Sequence, residues 1–376
     1  MIYADNASTT RISDKALERM LPFLREEYGN PSSLYSHGTK SKNAIEEARC
    51  KVAGAIGAEA SEIIFTSGGS EGNTCVLSSI MDGHIVTSSI EHDSVLKACH
   101  ALERKGVDIT YLPVDSKGLV SLYDLENSIR SNTKLVSIML ANNEIGTIEP
   151  ISEIGKFLSK AGILFHTDAV QAVGHIPVDV KQLSVDYLTA SAHKFHGSKG
   201  TGFMYKRKGV PLSPLVFGGE QELGFRSGTE NVAGIVSLGY ALEECIDQME
   251  PITNKVRELV EATVSGIRAR IPNILVNGNT ESHLPGIINI VFEGVSGESL
   301  MHLLDLKGIC VSTGSSCSSK KKAVSHVLMA LGLTEEQARY AIRISYGRFN
   351  TIHEAESVIA AVCDACKKIA GFSGKA

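Results

Sequence analysis

Between residues 62 and 206, short β-branched runs alternate with stretches of helical length, and this alternation constrains the fold more than any other feature of the chain. The predicted strands are Glu62 to Thr66, His84 to Ser88, Asp108 to Pro113, Lys134 to Met139, Ile163 to Thr167, Tyr187 to Ser191 and Thr201 to Tyr205. Strands separated by amphipathic helices are the signature of a mostly parallel sheet with helices over its faces. Such a sheet collects ligands at the carboxyl ends of its strands. The last two strands are joined by only nine residues, 192–200, so irregular structure or a hairpin is expected there.

The pattern changes at Met249, Glu250 and Pro251, after a predicted helix that starts near Asn231. Beyond it lie a strand at Gly286 to Phe292, a helix from Gly297, a glycine-serine loop at 312–319 and a strand at Ala341 to Tyr346. A final helix over about 352–370 places Val358, Val362, Cys366 and Ile369 on one apolar stripe. These scattered elements read as a second, smaller α+β domain. With 43% hydrophobic and 21% charged residues in 376, the chain can bury a large core, which excludes disordered and collagen-like classes.

A net charge of -5, with no basic run longer than the triples Lys206-Arg207-Lys208 and Lys320 to Lys322, argues against nucleic acid as the main partner. The N-terminus MIYADNASTT carries acid and lacks the apolar region of a signal peptide, and no run reaches the roughly 18 to 20 apolar residues of a membrane span. The eight cysteines are irregularly spaced, so reduced thiols in a cytoplasmic protein are expected.

Three constellations can carry chemistry. Thr66-Ser67-Gly68-Gly69-Ser70-Glu71-Gly72-Asn73 follows a strand and opens a helix. Glycines admit an anion to the backbone N–H groups there, although an ordinary βα turn has the same composition. Asn73 after Gly72 speaks against a nucleotide P-loop, which needs lysine. Lys194, in Ser191-Ala192-His193-Lys194-Phe195-His196-Gly197, stands just past a strand end, where an amine can condense with an aldehyde; a solvated surface lysine is the plain alternative. His193 and His196 lack a third partner at metal-ligand spacing. Asp168 ends the apolar run Ile163-Leu164-Phe165, where a carboxylate either faces a cation or caps the next helix.

Taken together, these residues match the needs of pyridoxal phosphate. That cofactor takes a lysine for its aldehyde, a carboxylate for its ring nitrogen and a glycine-rich helix start for its phosphate. Lys194, Asp168 and Gly68 to Gly72 supply all three from different strand ends, and His92 is placed to lie on the ring.

With the segments Tyr3-Ala4-Asp5-Asn6-Ala7-Ser8-Thr9-Thr10, Gly29-Asn30-Pro31-Ser32-Ser33 and Arg343-Ile344-Ser345-Tyr346-Gly347-Arg348-Phe349, the chain resembles the cysteine desulfurases of the NifS/IscS type, within class V of the fold-type-I pyridoxal phosphate enzymes. The resemblance implies a large cofactor-binding domain at 16–249 with a mostly parallel seven-stranded sheet. It assigns 1–15 and 250–376 to a small domain carrying Arg343 and the Cys317 loop. Lys194 is then the Schiff-base lysine, Asp168 meets the pyridine nitrogen, His92 stacks on the ring and Gln171 lies near its hydroxyl. Gly69, Ser70, Ser191 and His193 surround the phosphate, Asn143 and Arg343 take the substrate carboxylate, and Thr229 reaches the phosphate of a neighbouring subunit in a homodimer.

Cys317, in Val311-Ser312-Thr313-Gly314-Ser315-Ser316-Cys317-Ser318-Ser319, is the implied nucleophile that accepts sulfur from L-cysteine, releases alanine and passes the persulfide to an acceptor protein such as an iron-sulfur scaffold. Small neighbours predict a mobile loop, and the following helix at Val324 to Leu331 with Lys320 to Lys322 favours thiolate. Cys363 and Cys366 look like a redox pair but read as core residues beside the apolar stripe. Ala323-Val324 stand where the family commonly has glutamate-proline, and His196 and Ser198 replace its aromatic and proline in the lysine loop. The chain ends at Ala376 without the tail that housekeeping members use to hold a scaffold. A selenocysteine lyase, or another class V lyase or aminotransferase, is the alternative reading.

Overall fold

The computed structural model describes residues 1–314 and 324–373. The first part of the chain runs β1 (Ile2–Tyr3), α1 (Asp14–Arg25), α2 (Ser36–Ile56), β2 (Ile63–Thr66), α3 (Gly69–Ser78), β3 (His84–Ser88), α4 (Asp93–Glu103), β4 (Asp108–Leu112), α5 (Leu122–Ser128) and β5 (Thr133–Ser137). It continues through α6 (Ile151–Ala161), β6 (Leu164–Asp168), α7 (Val180–Leu183), β7 (Tyr187–Ser191), β8 (Gly202–Lys206) and α8 (Val232–Asp247). The remainder is α9 (Met249–Arg268), β9 (Ile274–Asn277), β10 (Ile287–Phe292), α10 (Gly297–Asp305), β11 (Ile309–Cys310), α11 (His326–Ala330), α12 (Glu335–Arg339), β12 (Ala341–Ser345) and α13 (Ile352–Ser373).

Seven strands form the central sheet in the order β2-β8-β7-β6-β5-β3-β4. β8 runs antiparallel to both of its neighbours, and the other pairings are parallel. The short link after β7 therefore makes an antiparallel return, as its length requires. β2, β3, β6 and β7 are buried along their whole length or nearly so, which follows from helices lying over both faces. Gly72 lets α3 come close to β7: a Cβ there would meet Thr189 Cγ2 at 2.6 Å.

A second buried cluster joins Val256 and Leu259 of α9, Ile288 and Ile290 of β10, Ile342 and Ile344 of β12 and Val358 and Val362 of α13 to Ala4. Three antiparallel strands, β12-β10-β9, back this cluster, and β1 pairs in parallel with β11. Cys363 and Cys366 are buried in it, and burial raises both thiols, Cys366 to about 12, so they pack as core residues. Asn231 caps α8 by accepting from Gly234 N at 3.1 Å, and Pro251 is tolerated in the first turn of α9, where its missing N–H costs no helical bond. Ser325 caps α11, two residues inside the helix start expected at Val324.

One buried ion pair fastens the chain before α8 to the sheet. Arg49 of α2 donates through both terminal nitrogens to Glu222 at 2.8 Å each, and Glu222 also accepts from Phe65 N at 2.7 Å. Both side chains are nearly inaccessible, so removing Glu222 leaves the Arg49 charge buried with only the more exposed Glu46 carboxylate and the Ile63 carbonyl to hold it. Glu222→Ala is expected to lower stability by about 3 to 5 kcal/mol, read from the shift of the denaturant midpoint; a loss under about 1 kcal/mol would show that Arg49 is rescued by water.

Candidate active site

The carboxyl ends of five strands, β2, β3, β5, β6 and β7, lead into one cleft of about 840 Å³. Gly69, Ser70, His92, Asn143, Asp168, Gln171, Ser191, His193, Lys194 and Arg343 all line it. Ten of the twelve residues singled out from the sequence thus meet in one place. Thr229 is exposed and lies outside the lining of its own chain's cleft, and Cys317 falls outside the described residues.

Lys194 ends a short turn, Ala192–Lys194, directly after β7. Its Nζ donates to the carbonyl oxygens of Ala7 at 2.6 Å and Ser8 at 2.8 Å, and its own carbonyl accepts from His175 Nε2 at 2.9 Å. The lysine loop holds together without the usual aromatic and proline. His196 N donates to Thr10 Oγ1 at 2.9 Å, its ring bonds the Arg11 carbonyl, and Ser198 N donates to Ser237 Oγ. His193 Nδ1 instead meets Thr9 Oγ1 at 3.1 Å, so the two histidines serve different neighbours and do not form a pair.

Asp168 is the last residue of β6, and turns rather than a helix follow it at 170–175. Oδ1 accepts from Val170 N at 2.9 Å, which is a local turn role, and Oδ2 accepts from Asn73 Nδ2 at 2.6 Å. Asn73 also donates to Ser94 Oγ at 2.9 Å, and Ser94 bonds His92 Nδ1 through Oγ at 2.9 Å and through its backbone N–H at 3.1 Å. Because His92 Nδ1 accepts a backbone proton, a neutral ring carries its own proton on Nε2. One hydrogen-bonded chain thus runs from Asp168 to His92. Sequence reasoning missed its two middle members, since a lone Asn or Ser inside a helix has no spacing signature.

Arg343 of β12 is 1% exposed. It donates to the Asn143 carbonyl at 2.8 Å, to Asp5 Oδ1 at 2.8 Å and to Ser8 Oγ at 2.6 Å, while its Nε has no partner among the described residues. Gln171 Nε2 bonds the Ala7 carbonyl at 2.9 Å. Residues 5–8 therefore contribute a floor to the cleft. The Asp5-Asn6-Ala7-Ser8 run was visible in the sequence, but nothing local to it indicates a partner near residue 343.

These residues fit pyridoxal phosphate. The first turn of α3 begins at Gly68 with no side-chain cap, so its N–H groups face the cleft beside Ser191 and His193, as a phosphate needs. Asn73 Oδ1, buried with no partner among the described residues, adds an unsatisfied polar atom beside Asp168.

The family model for class-V aminotransferases matches residues 2–358. The chain belongs to the class-V aminotransferase family. A cysteine desulfurase IscS from Methanosarcina thermophila is 46% identical over 378 aligned positions, covering 99% of this chain and 93% of the relative. One from Dictyoglomus turgidum is 48% identical, covering 93% of this chain and 90% of the relative. Among solved structures, a NifS-like protein superposes with a TM-score of 0.91 at 40% identity, covering 96% of this chain and 98% of the other. SspA in complex with cysteine superposes at 0.83 and 35% identity, with 93% and 100% covered. The fold is that of the NifS-like pyridoxal phosphate enzymes, and the cofactor of this family is pyridoxal phosphate.

Burial, reinforced by Lys194 and Lys199, lowers the His193 ring to about 4, and burial alone does the same for His166, to about 3. His196 falls to about 4, chiefly through burial. The unfolded chain protonates each ring near its ordinary value of about 6.5, so these histidines contribute stability above about pH 6.5 that drains as pH falls towards 4. Glu91 and Glu149, raised to about 8 mainly by burial, act in the opposite sense and weaken the fold as pH climbs from about 4.5 to 8. The His193 ring is expected to stay neutral from pH 8 to 5 by NMR titration, and His193→Gln to flatten the loss of stability between about pH 6.5 and 4. A His193 midpoint near 6.5 would contradict this burial.

Proposed function

We propose that this chain is a pyridoxal-phosphate-dependent cysteine desulfurase in which Cys317 receives the sulfur. The carrying observation is the convergence of Lys194, Asp168, His92 and Arg343 on one cleft in a chain whose relatives at 46–48% identity are cysteine desulfurases. When bound, pyridoxal phosphate supplies an electron sink for the bond changes at the substrate Cα and Cβ.

In this reading, the α3 N-terminus with Gly69, Ser70, Ser191 and His193 holds the phosphate. Asp168, kept in place by Asn73, holds a proton on the ring nitrogen, and Gln171 stands by the ring hydroxyl. His92 stacks on the ring, and its Nε2 edge and the Lys194 amine are the groups that move protons. Arg343 takes the substrate carboxylate beside Asn143 through charge-assisted hydrogen bonding. The Cys317 thiolate attacks the substrate sulfur and the Cβ–S bond breaks. The electron pair stays on the carbon fragment, which gains a proton at Cβ and leaves as alanine. Sulfur remains as a persulfide for an acceptor thiol.

Thr229, exposed on a chain segment anchored by Arg49 and Glu222, fits a contact to the phosphate of a second subunit in a homodimer. An iron-sulfur scaffold is one candidate acceptor protein. A cytoplasmic setting accords with reduced cysteines, and no described helix is long and apolar enough to cross a membrane.

Cys317→Ser is expected to keep the yellow colour and the absorbance change on adding L-cysteine, while alanine production and protein-bound persulfide fall to near background. Wild-type release of alanine and sulfide by that variant would favour a simple lyase instead. Arg343→Ala is expected to cost on the order of 2 to 4 kcal/mol in substrate use, a loss of tens to hundreds of fold in kcat/KM, with Arg343→Lys recovering only part. Unchanged kinetics in Arg343→Ala would remove it from the carboxylate site.

A further inference from the structure

Glu144 connects the substrate side of the cleft to both flanks of the segment that holds Cys317. It follows Asn143, whose carbonyl accepts from Arg343 at 2.8 Å, and it is 1% exposed. Its backbone is fixed on both sides: the N–H donates to Asn142 Oδ1 at 2.8 Å, and the carbonyl accepts from Asn289 at 3.3 Å. On the downstream flank, Glu144 Oε2 accepts from Ser325 Oγ at 2.6 Å, the same hydroxyl that caps α11 through Leu328 N. On the upstream flank the same oxygen lies 3.1 Å from the position a Cβ would take on Gly314, whose φ is +108°. On either side of 315–323, one buried carboxylate thus bonds Ser325 and lies where only a glycine at 314 leaves it room.

Two further contacts tie these flanks to the cleft. Ser312 exchanges backbone hydrogen bonds with Arg343 at 3.1 and 2.6 Å. His326 Nε2 donates to the carbonyl of Glu91, the residue before His92, at 3.0 Å. The upstream flank is therefore seated on the arginine, and the downstream flank on the neighbours of Asn143 and His92.

We infer that Glu144 is a positioning residue for sulfur abstraction, acting through Ser325 and Gly314 to set where the Cys317 segment departs from the fold and where it rejoins it. The inference rests on the reading of Cys317 as the nucleophile. Fixing the point from which a tethered nucleophile departs raises its effective concentration at its target, and the Glu144–Ser325 bond fixes one such point for the Cys317 thiol. Loosening one anchor lowers that concentration and leaves the carboxylate grip of Arg343 in place. A loss in the sulfur-transfer rate without a loss in binding is the mark of such a role, whereas general damage to the fold lowers both.

The test compares Ser325→Ala, Glu144→Ala and Glu144→Gln in the cofactor-loaded enzyme. The amide of Glu144→Gln keeps an oxygen for Ser325 to donate to. Ser325→Ala and Glu144→Ala are expected to slow single-turnover alanine formation and persulfide build-up on Cys317, followed by mass spectrometry, at least tenfold. KM for L-cysteine and the absorbance change on its addition should stay within twofold, and Glu144→Gln should return to within threefold of wild type. In cofactor-free protein, alkylation of Cys317 by iodoacetamide, followed by peptide mapping, should speed up at least threefold in Ser325→Ala. Wild-type single-turnover rates in both alanine variants overturn the inference, as does a defect confined to KM. If Glu144→Ala does not fold, Ser325→Ala makes the same comparison with Glu144 intact. Wild-type protein that forms no alanine overturns the desulfurase reading and this inference with it.

Discussion

The cleft depends on how one buried guanidinium is satisfied. Arg343 sits in the middle of a strand with almost no access to water, and an unpaired charge there would be costly. Its partners are Asp5 and Ser8 from the start of the chain and the carbonyl of Asn143 from the loop after β5. Meeting those needs brings three distant stretches together and lays residues 5–8 across the cleft floor. Lys194 and Gln171 then use the carbonyls of Ala7 and Ser8 as their own acceptors. A group able to grip a carboxylate and the amine nearest the chemistry thereby share a single strip of backbone.

The opposite wall is ordered by a different device. Asp168 and His92 stand at the ends of different strands, and Asn73 and Ser94 connect them with hydrogen bonds of 2.6 to 2.9 Å. Asn73 is on α3, the helix whose uncapped first turn faces the same cleft, so its approach to β7 at Gly72 serves two purposes. It brings N–H groups to the cleft and delivers an amide to Asp168. A bulkier residue at position 72 would disturb both.

What could be read in the sequence followed the range of the interaction concerned. Alternating apolar runs reported the strands, and with them the positions of Asp168, Ser191 and Lys194 at strand ends. The nine-residue link before β8 was too short for a crossover, and the strand duly returns antiparallel. The start of α8 was legible because Asn231 is a local cap. Asp5 with Arg343 was not legible as a pair, because the two lie 338 residues apart and no periodicity spans that distance. Asn73 and Ser94 were missed for the opposite reason: each is a single polar residue acting within one turn of a helix, and neither alters the apolar pattern around it. β1 and β11, two residues each, were too short to register as strands at all.

The floor laid by residues 5–8 also fixes an order of events during synthesis. These residues are made 335 to 338 residues before Arg343 and Ser345, whose side chains they contact. The central sheet can pair and bury its helices while the opening segment still waits for its partners. Until Arg343 and Ser345 are made, residues 5–8 lack two of the side chains that seat them beside Lys194. The finished cleft floor therefore belongs to a chain that has already been made through Arg343 and Ser345, long after the strands of the central sheet.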